Sequence, residues 1–290
     1  MTTITAHKST QAGILFLIGA SFVFTLMDAA AKGLVEDYPA PMVFWARFLG
    51  MLVLVLCTLG RKVGPLLRTA YPFFHLLRSA FQFGATALFF AALGHIGLAE
   101  ATALTDLAPV LIVLGAAVFL GERLTPGRVL GVILALGGAL IIIRPGFAAF
   151  TPAALLPLGA AVCYAGNVLL TRRIGPHESA WTAMLYASAF GTLAGAVWLP
   201  FIWQPIDPAD LANFALLGAL GTLAQLAIIR AFSLAEASAI APFAYVTILF
   251  ATLWGIIFYG EYPDLATIIG ALVIVAAGLY VWHREARAVD

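Results

Sequence analysis

The chain has 290 residues, of which 63% are hydrophobic and only 10% charged, with a mean hydropathy of +1.03; a soluble domain carries about 25% charged residues, so a water-soluble globule is excluded. Fifteen basic against fourteen acidic residues give a net charge of +1 with no basic tract, which leaves a nucleic-acid partner no electrostatic footprint. The two cysteines, Cys57 and Cys163, sit inside apolar runs far apart in sequence, so neither a disulfide framework nor a cysteine metal cluster is available.

Apolar blocks of about 20 residues, the length that spans a hydrocarbon core, recur between charged or Pro/Gly punctuation. They predict ten membrane helices, over 11–32, 39–60, 72–95, 99–121, 125–144, 152–174, 179–202, 209–232, 236–259 and 263–283. Connections of no more than about ten residues force antiparallel neighbours in a bundle and leave no extramembrane domain. Lys8 ahead of the first block imitates a signal peptide, but the block is long for an h-region and nine further spans follow, so it reads as helix one. Cytoplasmic loops hold Lys and Arg in excess. With the N-terminus inside, ten of the fifteen basic residues, from Lys8 through Arg61, Lys62 and Arg68 to Arg284 and Arg287, are cytoplasmic. Only Lys32 and Arg144 fall outside, while Arg47, Arg78 and Arg230 lie within spans or at their ends. Both termini are therefore expected in the cytoplasm.

An ionisable group at span depth costs about 2.5–3.5 kcal/mol on insertion scales and needs a partner. In helix one, Ser21, Thr25 and Asp28 follow an i, i+4, i+7 rhythm that places them on one face, expected to look inward. Helix two carries Arg47, and helix four carries Thr102, Thr105 and Asp106 at similar depth. Asp28, Arg47 and Asp106 are therefore expected to form one outer-half cluster, either a buried ion pair that fixes packing or a gate that meets substrate charge. Helix three presents His75, Arg78 and Gln82 as a polar stripe. His75 is expected to snorkel to the cytoplasmic headgroups, Arg78 either to snorkel or to face a cavity, and Gln82 to line a cavity or bond another helix. Tyr164 and Asn167 in helix six, and Thr222 and Gln225 in helix eight, are deep enough to line a midplane site; for Asn167 and Gln225 the alternative is an interhelical hydrogen bond. Tyr245 follows Pro242 and either stacks on a ligand or packs as an ordinary aromatic. Glu100, Glu122, Glu236 and Glu261 fall at helix ends and read as caps or interfacial charges.

The halves repeat. Leu98-Ala99-Glu100-Ala101 recurs as Leu234-Ala235-Glu236-Ala237, and further on Gly121-Glu122 recurs as Gly260-Glu261, Gly131 as Gly270 and Leu140 as Leu279, these last at an offset of 139 residues. Order and helix-end position are kept, which marks a true repeat, with halves of 11–144 and 152–283. Because each half holds five helices, the second begins on the opposite side of the membrane. Such inverted repeats are the architecture of alternating-access transporters. At the same offset Asp106 corresponds to Tyr245 and Pro109 to Ile248, so equivalent positions carry different chemistry, which suits an amphipathic substrate.

Several stretches resemble the drug/metabolite transporter superfamily, in its ten-helix branch of two EamA-type repeats. They are Met27-Asp28-Ala29 with Lys32, Phe44-Trp45-Ala46-Arg47-Phe48, Ala99 to Leu104 leading to Pro109 and Leu120-Gly121-Glu122-Arg123, then Ala241-Pro242-Phe243-Ala244-Tyr245 and Gly260-Glu261-Tyr262-Pro263. The similarity runs over about residues 11–283. It implies an all-α bundle in which helices one to four and six to nine enclose a cavity, and a multi-pass protein of a bacterial inner membrane.

These readings converge on a secondary transporter of small polar or amphipathic metabolites, foremost an amino-acid exporter, with import of a nucleoside-like or vitamin-like metabolite as the alternative. An intramembrane enzyme acting on a lipid-linked substrate would need paired acids, and Asp28 and Asp106 lie on separate helices without a D-x-x-D spacing. No phosphate loop, H-E-x-x-H, C-x-x-C or G-x-S-x-G occurs, and His177-Glu178 is a lone pair in a short loop. The expectation is accordingly no enzyme, no cofactor, no metal and no use of ATP, with a small-molecule substrate and membrane lipid as partners. Gly191 with Gly195, and Gly131 with Gly137-Gly138, allow close helix packing, chiefly within the chain, as a monomer or weak homodimer.

Overall fold

The computed structural model describes residues 2–120, 126–144, 151–174, 178–234 and 241–289. Gly121-Glu122-Arg123, His177 and Ala235-Glu236-Ala237 lie outside these, as do the side chains of Lys8, Arg128, Arg172, Arg284 and Arg287. Among the described residues the regular structure is helical. The longer helices are α1 (Thr2–Asp37), α2 (Ala40–Leu59), α3 (Pro72–Leu93), α4 (Leu98–Thr105), α5 (Ala108–Leu120), α6 (Pro126–Ile143), α7 (Leu155–Ile174), α8 (Ala180–Ala196), α9 (Leu211–Leu234), α10 (Val246–Tyr259) and α11 (Leu265–Val289).

Among the described residues, five segments are long and apolar enough to cross a membrane, namely Gln11–Asp37, Ala40–Leu66, Pro72–Leu93, Pro152–Thr171 and Leu211–Ala231, and Val129–Ile143, Phe243–Tyr259 and Leu265–Tyr280 are shorter apolar helices. Large apolar side chains such as Leu15, Phe119, Leu193, Phe201 and Leu272 point outward, a distribution that only lipid makes favourable. The chain is an all-α membrane protein of about ten helices.

Local chemistry sets the helix ends. Pro72 opens α3, where a missing N–H costs nothing. Ser179 caps α8 by accepting from the Trp181 N–H at 3.2 Å. Gly260 closes α10 in the left-handed region, φ +63°, with its N–H on the Ile256 carbonyl. Three expected spans prove to be interrupted. The fourth, expected over 99–121, breaks between α4 and α5 because Pro109 lacks an N–H and crowds the carbonyl four residues back. The ninth opens, in its described part, as a 3-10 turn over Ala241–Tyr245 around Pro242 before α10 begins. The seventh ends α8 at Ala196 and resumes as the short helix Leu199–Ile202 around Pro200. The first span instead runs on to Asp37, so Lys32 is not the outer-loop charge the sequence suggests but a helix residue only 4% exposed.

Two compact units organise these helices, and each draws segments from both halves of the sequence. Unit A comprises Met27–Ile96 and Pro152–Thr222; unit B comprises Met1–Leu26, Gly97–Thr151 and Leu223–Asp290. In unit A, α3 packs on α7 and α8, and α2 on α8. A side-chain carbon at Gly191 would collide with the Phe48 ring, and one at Gly195 would crowd Trp45, while the backbones of Gly50 and Gly218 are so close that a Cβ on Gly218 would sit 2.5 Å from the Gly50 Cα. In unit B, α11 packs on α6 through the facing pair Gly138 and Gly270, and α10 packs on α4. Of the glycines that the sequence marks for close packing, Gly191, Gly195 and Gly138 are thus used within the chain, whereas a Cβ on Gly137 would meet open space.

Candidate functional site

Unit A holds two polar groups in an apolar setting. The first is centred on Arg47 of α2, whose side chain is 8% exposed. Its Nη1 donates to the Thr86 hydroxyl of α3 at 3.1 Å, and its guanidinium carbon stands 5.5 Å from the Phe90 ring centroid and 5.9 Å from that of Phe48. Arg47 and the half-buried Asp28 of α1 lie within electrostatic reach of each other, as the sequence leads one to expect. Phe83 links the neighbouring rings, 5.2 Å from Phe44, 5.9 Å from Phe48 and 6.2 Å from Phe190. A guanidinium framed by phenyl faces and an oppositely charged carboxylate is stabilised at depth by both the ring faces and the charge.

The second group is a clamp on Arg78 of α3. Its Nε donates to the Thr171 hydroxyl of α7, its Nη1 to the Ala183 carbonyl of α8 at 3.2 Å, and its own carbonyl accepts from Asn167 Nδ2 at 3.0 Å. The Thr171 hydroxyl in turn donates to the Asn167 backbone carbonyl at 2.7 Å. Arg78 and Asn167 thereby bind three helices together, so the interhelical hydrogen bond is realised for Asn167 and snorkelling is not the state of Arg78. His75, one turn earlier, does not snorkel either: it is 1% exposed, stacks on Tyr186 at 4.9 Å and lies 3.6 Å from the Glu178 carboxylate, which also accepts from Thr69. Gln82 is half-buried on α3, and Tyr164 is 43% exposed on α7, within electrostatic reach of Arg78. Lys32 reaches two carbonyls, of Leu93 and Ile96, each at 3.0 Å. It places a cation at the C-terminal end of α3, where the helix dipole is negative.

Unit B carries Asp106, Gln225 and Tyr245. Asp106 is the residue that ends α4, and its Oδ2 accepts from the Thr247 hydroxyl of α10 at 2.8 Å. Tyr245 closes the 3-10 turn, its hydroxyl buried and tucked against Gly278 of α11. Gln225 is half-buried on α9. The inward face expected of helix one is seen in Ser21 and Thr25, 6% and 2% exposed, with Trp254 Nε1 donating to Thr25 at 3.1 Å. At the end of unit B where α6 stops, Arg144 pairs with Asp264, and Glu261 accepts from the Leu98 N–H at 3.0 Å, capping α4 as a helix-end Glu is expected to. The Asp264 carboxyl is held below its ordinary range by the Thr267 N–H and by Arg144. The structure thus gathers Asp28 and Arg47 in unit A and assigns Asp106 to unit B with its own partner. Sequence reasoning missed Thr86, Thr171 and Thr247, each the hydroxyl that meets a charged group. The only signal of Thr86 and Thr247 is a lone threonine inside an apolar run, and Thr171 merely ends one ahead of Arg172-Arg173.

Apolar helices that cross a bilayer, two of them broken by proline at span depth, and charged side chains bonded between helices inside them define a polytopic transport protein. The chain belongs to the EamA-like transporter family, whose model matches it twice, over residues 11–144 and 151–282. It is 32% identical over 274 residues to the pseudopaline exporter CntI of Pseudomonas aeruginosa, covering 92% of this chain and 94% of that one. It is 29% identical over 284 residues to a riboflavin transporter of Rhizobium johnstonii, covering 95% and 92%. A solved crystal structure with 22% identity shares the fold, with a TM-score of 0.63 and coverage of 98% of this chain and 99% of that one. The protein is a multi-pass inner-membrane transporter of small metabolites in the drug/metabolite transporter superfamily, and not an enzyme.

Proposed function

We propose that the chain exports a small amphipathic metabolite bearing a carboxylate, an amino acid or an amino-acid-like compound, by alternating access. The observation that carries this reading is Arg47, buried in a phenyl-lined part of unit A and electrostatically coupled to Asp28. A zwitterion offers one carboxylate and one ammonium, and it exchanges with such a pair without leaving a bare charge in low dielectric. Export is supported by the relative named as a pseudopaline exporter. In this reading the repeats 11–144 and 152–283 are inverted in the membrane with both termini cytoplasmic, and Gln82, Tyr164, Gln225 and Tyr245 contribute to the path, while Arg78 and Asn167 hold it in shape. Cells that overproduce the protein should tolerate otherwise toxic levels of at least one amino acid or dipeptide. Absence of tolerance across a broad panel, with the protein present in the membrane, argues against export.

A second reading, transport of a vitamin-like aromatic metabolite, draws on the riboflavin transporter among the relatives and on the rings of Phe48 and Phe90 beside Arg47, which Phe83 and Phe44 extend. Transport of radiolabelled riboflavin, set beside that of an amino-acid panel in vesicles reconstituted with the protein, separates the two.

A further inference from the structure

The carboxyl of Asp106 is short of one proton for the contacts it is part of. Thr247 Oγ1 stands 2.8 Å from Asp106 Oδ2 and 2.8 Å from the Ala244 carbonyl oxygen, both at hydrogen-bond distance. A hydroxyl has a single proton to give. With Asp106 ionised, one of these two oxygen–oxygen contacts has no hydrogen between its atoms. With Asp106 protonated, its O–H donates to Thr247 Oγ1, whose own proton goes to Ala244, and both contacts become hydrogen bonds.

Three surrounding features act in the same direction. Asp106 is the residue that ends α4, at the negative end of that helix, and Pro109 has no N–H to offer the Thr105 carbonyl, so electron-rich oxygens gather at the break. One turn back on the same face of α4, Thr102 is 6% exposed and its hydroxyl has no hydrogen-bond partner among the described residues; the buried Tyr245 hydroxyl, whose residue lies within electrostatic reach of Asp106, has none there either. Among the described side chains, no compensating cation comes from the helices packed on α4: the turn before α10 presents Tyr245, and Arg144 at the end of α6 is engaged by Asp264 at the start of α11, beside Glu100 and Glu261. Farther along, α11 carries Tyr280 and the exposed His283. Discontinuous helices of this kind are where transporters hold coupling ions.

We propose that Asp106, with Thr247 and the Ala244 carbonyl, is a proton-binding site whose loading from one side of the membrane and unloading to the other couples substrate movement to the proton gradient. The coupling step rests on the transport reading above; the binding step does not.

Infrared difference spectra of the purified protein between acidic and alkaline buffer read the binding step without any substrate. The expected result is a carboxylic-acid C=O band that appears on acidification and is lost in Asp106→Asn. In Thr247→Val, which keeps the carboxyl, the band persists at a displaced frequency because its hydroxyl partner is gone. A band unchanged in both variants, or no titrating band in the wild type, overturns the proposal. Vesicles loaded with mixed amino acids then test coupling: an imposed pH gradient should change the efflux rate several-fold for the wild type and leave Asp106→Asn without response. Efflux of the wild type that ignores the gradient refutes coupling. If nothing in the panel moves while the band titrates, it is the amino-acid assignment that has failed and not the proton site.

Discussion

Units A and B both bury charge among apolar helices, but they satisfy it differently. In unit A the cations are held by groups from several helices: Arg78 bridges α3, α7 and α8, Lys32 sits on the carbonyls that end α3, and Arg47 has Thr86 and the charge of Asp28. In unit B the acid at the break between α4 and α5 meets a hydroxyl, Thr247, that is itself shared with a backbone carbonyl. A guanidinium cannot shed its proton in a protein, so it must be fully partnered to remain at depth. A carboxyl can take one up, and needs less. The comparison separates charges that brace helices from charges that can change state.

The largest loss of stability is expected in unit A at the backbone contact between α2 and α9. Gly218→Leu forces a side chain against Gly50 where the gap is already filled, and overpacking there is expected to cost about 3 kcal/mol or more, seen as loss of folded protein in detergent gel filtration. Thr171→Val removes the acceptor of a buried guanidinium N–H and should cost about 2 kcal/mol in detergent unfolding. If Thr247→Val in unit B costs as much, the contrast between the units does not hold. Lys32→Met strips the C-terminal carbonyls of α3 of their cation and should cost about 1 kcal/mol.

The smallest effect belongs to the Arg144–Asp264 pair. Asp264 is 51% exposed, so screening by solvent keeps Asp264→Asn within about 0.5 kcal/mol. Because the folded-state value of this carboxyl is depressed, its contribution is complete above the ordinary value of 3.8 and is lost as pH falls through the lowered folded value. Unfolding curves of wild type and Asp264→Asn should therefore differ at neutral pH and converge only under strongly acidic conditions.

Span number and the close approach at Gly191 and Gly195 were legible because blocks of about 20 apolar residues and G-x-x-x-G spacings are local features, whereas the contact of Gly50 with Gly218 joins distant segments and shows in no local spacing. Depth was not. Lys32 looks like a loop residue because a lysine ends an apolar block, yet its partners, Leu93 and Ile96, lie 61 and 64 residues away. His75 looks like a headgroup ligand because it is in the first turn of a span, yet Tyr186 and Glu178 cover it. The break at Asp106 was signalled by Pro109, but hydropathy averages over a proline and returns one continuous span. The charge partners were half legible: that Asp28 and Arg47 belong together followed from cost alone, whereas the threonines that complete each site carry no charge and stand out from no pattern.

Recognition of a substrate carboxylate by Arg47, as proposed above, is open to a direct test. Counterflow in reconstituted vesicles with an amino acid, and separately with the amide of the same amino acid, isolates that group while leaving the side chain and ammonium unchanged. The account predicts that the wild type moves the amino acid at least about tenfold faster than its amide, a difference of about 1.4 kcal/mol, and that Arg47→Gln abolishes this preference while remaining folded. Equal rates for the two compounds in the wild type, or a preference that survives Arg47→Gln, would contradict it.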